Sequence, residues 1–139
     1  MRRGESKADG ASRPGRRSTR SRTGTSRLGG HGEALAAALL EQKGYRIVAR
    51  NFRCLRGEVD LIATQGEILA FVEVKTRQGQ RVIDPVLAVT ARKMERLRMA
   101  ATIFLASHPE IELQPRFDVI SVILVGSQPE LRHIENAFQ

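Results

Sequence analysis

The chain reads as an α/β protein: a sandwich with a mixed central β-sheet flanked by helices, in the order αβββαββ. Three observations carry this. Between Glu58 and Arg77 two alternating runs are joined by a turn signal. Apolar residues recur at helical spacing over residues 31–43 and 91–107. Arg116 to Val125 is nearly all apolar, as befits a strand covered on both faces.

In chain order, residues 1–28 are rich in Arg, Ser and Gly, with little apolar side chain to bury, and read as a disordered basic tail. Residues 29–139 read as one domain, enough for a single core. The first helix is expected from His31 to Lys43, with Ala34, Leu35, Ala38 and Leu39 as its stripe and Gly44 as its stop. Tyr45 to Phe52 is the first expected strand. Polar residues follow the second alternating run, and Asp84-Pro85 opens a helical segment as N-cap and first residue. Thr90 restarts it. Met94, Leu97, Ala101, Phe104 and Leu105 form a core stripe, and Arg92, Lys93, Arg96 and Arg98 form a basic side. Leu131 to Ile134 is expected as a last edge strand.

The net charge is +8, but residues 1–27 hold nine Lys/Arg and two Asp/Glu, and residues 28–139 hold fourteen and thirteen. The basicity belongs to the tail, so it argues weakly for specific nucleic-acid binding by the domain. The tail reads either as an arm adding phosphate affinity or as a passive extension, and its removal is expected to leave folding intact. No apolar run approaches the roughly 20 residues of a membrane helix, and no secretory leader pattern follows the first arginines. One cysteine, Cys54, excludes an internal disulfide and a cysteine metal cage. The histidines, His31, His108 and His133, are scattered, which disfavours zinc. A cytoplasmic location is the expectation.

The chemistry concentrates in the two alternating runs. Val59, Leu61 and Ala63 point one way, and Glu58, Asp60 and Ile62 the other. In the second run Glu73, Lys75 and Arg77 share a face. With Gln65-Gly66 as the whole loop, Asp60 faces Phe71 and Glu58 faces Glu73, which makes Asp60 and Glu73 diagonal neighbours roughly 7–8 Å apart. Their heads are expected to converge beside the first helix. Like charges so placed repel unless a cation sits among them, and hard Mg²⁺ or Mn²⁺ suits carboxylate oxygens. Glu58 reads equally as a ligand or as a structural acid. Asp118 reads as paired with an arginine or as a neighbour of the site.

Asp60 followed by Glu73-Val74-Lys75 resembles the PD-(D/E)XK nuclease superfamily, which includes restriction enzymes and Holliday-junction resolvases. From Gly29 to the C-terminus the chain resembles more closely the YraN-like family of predicted bacterial endonucleases. The matching blocks are Gly32-Glu33, Gly57 to Ala63, Phe71 to Arg77, Arg116 to Val119 and His133 to Phe138. The resemblance implies a restriction-endonuclease-like core and a metal-dependent endonuclease cutting DNA, with branched DNA as a candidate substrate and a homodimer as a candidate assembly. It implies Asp60, Glu73 and Lys75 as catalytic residues, and Asp60, Glu73, the Val74 carbonyl and Glu33 around one or two Mg²⁺ or Mn²⁺ ions. Glu33 reads otherwise as a carboxylate balancing a helix dipole. Lys93, Arg77 and Arg56 are the expected phosphate contacts. A binding module without cleavage activity and an adaptor protein are the rival readings.

Overall fold

The computed structural model describes residues 23–79, 86 and 89–139, with side chains from residue 29 onward. The elements follow the expected order: α1 (Thr23–Gln42), β1 (Arg46–Cys54), β2 (Gly57–Gln65), β3 (Ile68–Gln78), α2 (Ala91–Ser107), β4 (Gln114–Val125) and β5 (Gln128–Phe138). The strands form one five-stranded sheet in the order β1-β2-β3-β4-β5. Neighbours are antiparallel except β3 and β4, which run parallel with α2 as their crossover. That connection follows from topology, because parallel neighbours need a long crossover where antiparallel ones need only a turn.

The helices cover opposite faces. Ala36, Ala37 and Leu40 of α1 pack on Leu61, Ala63, Ala70, Val72, Ile120 and Val122. Leu97, Ala100, Ala101 and Phe104 of α2 pack on Val59, Ile62, Leu69 and Phe71. The central strands are therefore apolar on both sides. Among the described residues no helix is long and apolar enough to cross a membrane.

Several boundaries differ from the sequence reading. Helix α1 starts at Thr23, eight residues before His31, so only residues 1–22 of the expected tail precede it, and these lie outside the described residues. Its buried face is turned from the expected stripe: Ala36, Ala37 and Leu40 are buried, whereas Ala34 and Ala38 are exposed. The alanines on both sides of this helix make its stripe ambiguous. Gly44 (φ 94°) does end the helix: its N–H donates to the Glu41 carbonyl at 3.0 Å and that of Tyr45 to the Leu40 carbonyl at 2.9 Å. The Asp84-Pro85 start lies outside the described residues. Thr90 caps α2, its hydroxyl accepting from the Lys93 N–H at 3.2 Å. The last strand spans Gln128–Phe138 rather than the short Leu131–Ile134, and its polar residues fit its place at the sheet edge.

The hairpin turn is Gly66-Glu67 rather than Gln65-Gly66, for Gln65 pairs with Ile68 and Leu61 with Val72. Gly66 takes φ 58° at the first of the two loop positions, which suits a hairpin turn with glycine there. The expected pairing of Asp60 with Phe71 is thereby replaced, since Phe71 faces Ile62 and continuation of this register sets Asp60 opposite Glu73. The strict alternation of the first run also breaks. Asn51 takes φ 52°, between the pairs Arg50–Leu61 and Phe52–Val59. Ala49 and Phe52 then both pack on the α2 side, and so do their partners Ile62 and Val59, leaving Leu61 on the α1 side. Asparagine is among the few non-glycine residues that take this conformation readily.

Two glycines let the helices approach closely. A Cβ on Gly57 would collide with the Arg96 carbonyl of α2 and lie 3.1 Å from the Ala100 nitrogen. A Cβ on Gly32 of α1 would collide with the Thr76 hydroxyl of β3. Gly57→Ala is expected to force α2 off β2 and cost about 1–3 kcal/mol, typical of an overpacked core. Gly30→Ala, which meets nothing within 4 Å, is expected to be neutral or to stabilise by up to about 1 kcal/mol. Urea unfolding of the two variants checks this pair, and equal stabilities would refute the close-approach role.

Candidate active site

The ladder between β2 and β3 ends at Leu61–Val72. Beyond it β2 stays with β1, through Val59, Glu58 and Gly57, while β3 stays with β4, from Glu73 through Gln78. The sheet therefore forks. At the fork Asp60 substitutes its side chain for the missing ladder bond, and the Val74 N–H donates to Asp60 Oδ2 at 2.7 Å. Glu73, on the next residue of β3, is 5% exposed.

Two lysines converge on Glu73. Lys93 Nζ donates to Glu73 Oε2 at 3.2 Å, and Lys75 Nζ lies 4.0 Å from the same oxygen. The Thr90 cap sets Lys93 in the first turn of α2, where a cation works against the helix dipole and no acid of that turn offsets it. Glu73 supplies the compensating charge. The expectation that the heads meet beside the first helix is thus corrected: the lysine comes from α2, and α1 contributes the charge of Glu33, felt at Asp60. Among the described residues neither Asp60 Oδ1 nor Glu73 Oε1 takes a hydrogen bond.

Burial pushes the Asp60 carboxyl up to about 7, the charges of Glu73 and Glu33 push the same way, and the Val74 N–H and Lys93 pull back. Burial also lowers Lys75, helped by the Lys93 ammonium beside it and by the charge of Arg77, with Glu73 in partial opposition. Burial lowers Lys93 as well, but the neighbouring Lys75 amine and the carboxylates of Glu73 and Asp60 outweigh it, so Lys93 sits above the ordinary range. Of the two amines, Lys75 holds its proton less firmly.

Asp60, Glu73, Val74, Lys75, Lys93 and Glu33 are therefore neighbours in contact or in charge. Arg77, exposed toward the end of β3, is felt as a charge at Lys75, whereas Arg56 is exposed on the β1–β2 turn, outside this cluster. Glu58 is not in the carboxylate pair: it lies 3.9 Å from Arg53 and 3.8 Å from Arg96 and is half-exposed. Among the described residues no group of three His, Cys, Asp or Glu side chains is arranged to hold a metal by itself. Cys54 is engaged structurally, its Sγ 3.4 Å from the Gly57 carbonyl.

Asp118 resolves as a paired acid within a network wider than the sequence suggests. Arg116 donates to it twice, at 2.8 and 2.7 Å, and reaches the Tyr45 hydroxyl at 2.6 Å. His133 Nε2 lies 2.8 Å away, and the Asn136 N–H donates at 3.0 Å. Burial raises the Asp118 carboxyl, but these bonds outweigh it and hold it at about 2. Arg116 is correspondingly raised, chiefly by Asp118. The network pins the end of α1 to β4 and β5, away from the fork. A hollow of about 480 Å³ bordered by Ile68, Gln114, Phe117 and Phe138 also lies at the other end of β3.

Residues 32–122 match the family described as Uncharacterised protein family UPF0102. The chain belongs to this family. UPF0102 proteins of Geobacter metallireducens and Geobacter sulfurreducens are 45% and 48% identical to it, each over 81% of the chain and over 92% and 88% of their own lengths. A UPF0102 protein of Nocardia farcinica is 47% identical over 80% of the chain and 88% of its own. The UPF0102 match takes in the whole fork, from Gly32-Glu33 to Val122 of β4.

The pH dependence has a definite sign. Asp60 binds its proton more tightly folded (about 7) than unfolded (3.8), so the metal-free protein loses stability as pH rises from about 4 through 7. Asp60→Asn keeps an acceptor for Val74 without the charge. It is expected to be more stable than the wild type by about 1–3 kcal/mol at pH 8 in EDTA, with the gap closing toward pH 4. Denaturant titrations across that range test this. A less stable Asn variant at pH 8 would mean that attraction, not repulsion, dominates at Asp60.

Proposed function

We propose that this UPF0102 protein is a Mg²⁺- or Mn²⁺-dependent endonuclease of the PD-(D/E)XK type, related to the YraN-like nucleases, hydrolysing phosphodiester bonds in DNA. The observation that carries the reading is the fork, which sets a half-buried, charge-repelled carboxyl beside a second, buried carboxylate and two lysines. Each carboxylate keeps an oxygen without a hydrogen bond among the described residues, as a hard cation requires. Too few side chains for a closed cage is no obstacle, because Mg²⁺ commonly takes one or two carboxylates and completes its shell with water and substrate phosphate. Asp60 and Glu73 would hold the ion, with the Val74 carbonyl as the backbone donor and Glu33 adding charge nearby. When bound, the ion would lower the pKa of water and offset charge on the scissile phosphate.

The remaining work falls to the chain's own groups. Lys75, the amine that gives up its proton more easily, orients a water or accepts its proton at Nζ. Lys93 holds Glu73 in place and keeps positive charge beside the phosphate. Arg77 and Arg56 lie on exposed segments at either side and contact the backbone of the nucleic acid. A cytoplasmic site of action, a branched substrate and a homodimer belong to the same proposal.

One observation favours a second reading, a nucleic-acid-binding module that does not cut. Two lysines already lie at Glu73, so its charge has a partner without any metal. Cleavage of linear duplex, flap and four-way-junction DNA, and of RNA, with Mn²⁺ or with EDTA separates the two. The nuclease is expected to cut only with the ion, and Lys75→Ala is expected to lose at least about 100-fold in rate, the scale of a lost general base. The same variant should keep the Mn²⁺-induced rise in melting temperature, and Glu73→Gln should lose it. Binding to DNA without cleavage under any of these conditions would establish the second reading.

A further inference from the structure

The β1–β2 hairpin ends in a turn made of Leu55 and Arg56, between the paired residues Cys54 and Gly57. Neither turn residue takes positive φ. Two-residue turns favour Gly, Asn or Asp, so backbone geometry does not ask for Leu and Arg here. Packing does not ask for them either, because Leu55 is 96% exposed, far beyond Val125 at 43% and Val48 at 38%. Its surroundings are cationic: Arg53 and Arg56 belong to the hairpin, and Arg96 lies at its base, with Glu58 the acid between them. The base of the hairpin is closely packed, since Gly57 sits against the Arg96 carbonyl of α2. Glu58, Arg96 and Glu73 border one small hollow, so the base of the hairpin adjoins the fork.

An apolar side chain on a basic tip matches the wedges that proteins insert between base steps while arginines take the flanking phosphates. The geometry points to Leu55 as such a wedge, entering the stack of double-stranded DNA at a weakened base step, with Arg53 and Arg56 on the adjoining backbone. This deepens the nuclease reading and rests on it for the nature of the partner. Leu55 and Asp60 are five positions apart along β2 and its turn, a reach of at most about 17 Å, or roughly five base steps. The wedge would therefore select duplexes that open easily, at a mismatch or an unpaired base, within that distance of the cut.

The test uses the full chain in EDTA and a DNA duplex carrying 2-aminopurine beside a single unpaired base. Binding of the wild type is expected to raise the probe's fluorescence several-fold through unstacking. Leu55→Ser should lose the rise with an unchanged melting temperature, and Leu55→Phe should keep it. Arg53→Ser with Arg56→Ser should instead weaken binding and flatten its salt dependence. Equal fluorescence for wild type and Leu55→Ser, or no rise with either, overturns the wedge. Adding Mn²⁺ to the same complexes separates the two proposals. A Leu55-dependent signal without cleavage refutes the nuclease and leaves the wedge, whereas cleavage at equal rates without the signal refutes the wedge alone.

Discussion

The fork between β2 and β3 is the constraint on which the candidate site depends. Two antiparallel strands that separate must leave backbone donors without partners, and a buried N–H without an acceptor costs about 1–3 kcal/mol. The Asp60 carboxylate answers the Val74 N–H. That bond ties the acid to one place while burial and Glu73 make its charge unwelcome there. The same side chain thus completes the sheet and introduces electrostatic strain, and Asn51, at the matching place on β1, takes the left-handed conformation.

Around that constraint the helices act as charged plates of opposite sign. Gly32 lets α1 sit close to Thr76, with Glu33 next in sequence, and Gly57 lets α2 sit close to β2, with Lys93 in its first turn. Asp60 accordingly feels a carboxylate from one side and an ammonium from the other. Elsewhere the protein handles buried charge differently. Asp118 is answered by Arg116, His133 and a backbone N–H, and is held low rather than raised. A half-buried aspartate and a fully buried one are displaced in opposite directions, and the difference lies in how many donors meet each one.

Much of this was legible in the sequence, because strand periodicity is robust to small errors. The turn sits one residue later than Gln65-Gly66 suggests, which moves the register by two, a shift that by itself turns no side chain to the other face. Asp60 and Glu73 therefore stayed together even though the partner of Asp60 was misassigned. The placement of Val59 was lost because alternation carries no sign of the Asn51 kink. The contacts of Glu73 with Lys93, and of Asp118 with His133 and Tyr45, span 20, 15 and (through Arg116) 71 positions, distances at which local pattern says nothing. The stripe of α1 was misjudged because alanine serves a buried face and an exposed one equally well.

The parallel pairing of β3 with β4 also has a kinetic side. Strands β1, β2 and β3 meet through short turns, whereas Ile68 must find Gln114, 46 positions along the chain. Closing so long a loop carries an entropic penalty before any contact repays it, so pairings of this kind tend to lag behind local hairpins. The meander that carries Asp60 and Glu73 can therefore form before α2 docks and brings Lys93. In that interval the two acids share a fork without the ammonium, exposed to water that screens their repulsion. What makes the pair tolerable in the final form is the charge and the donor beside it, Lys75 on β3, Lys93 on α2 and the Val74 N–H, and of these only Lys93 has to wait for α2.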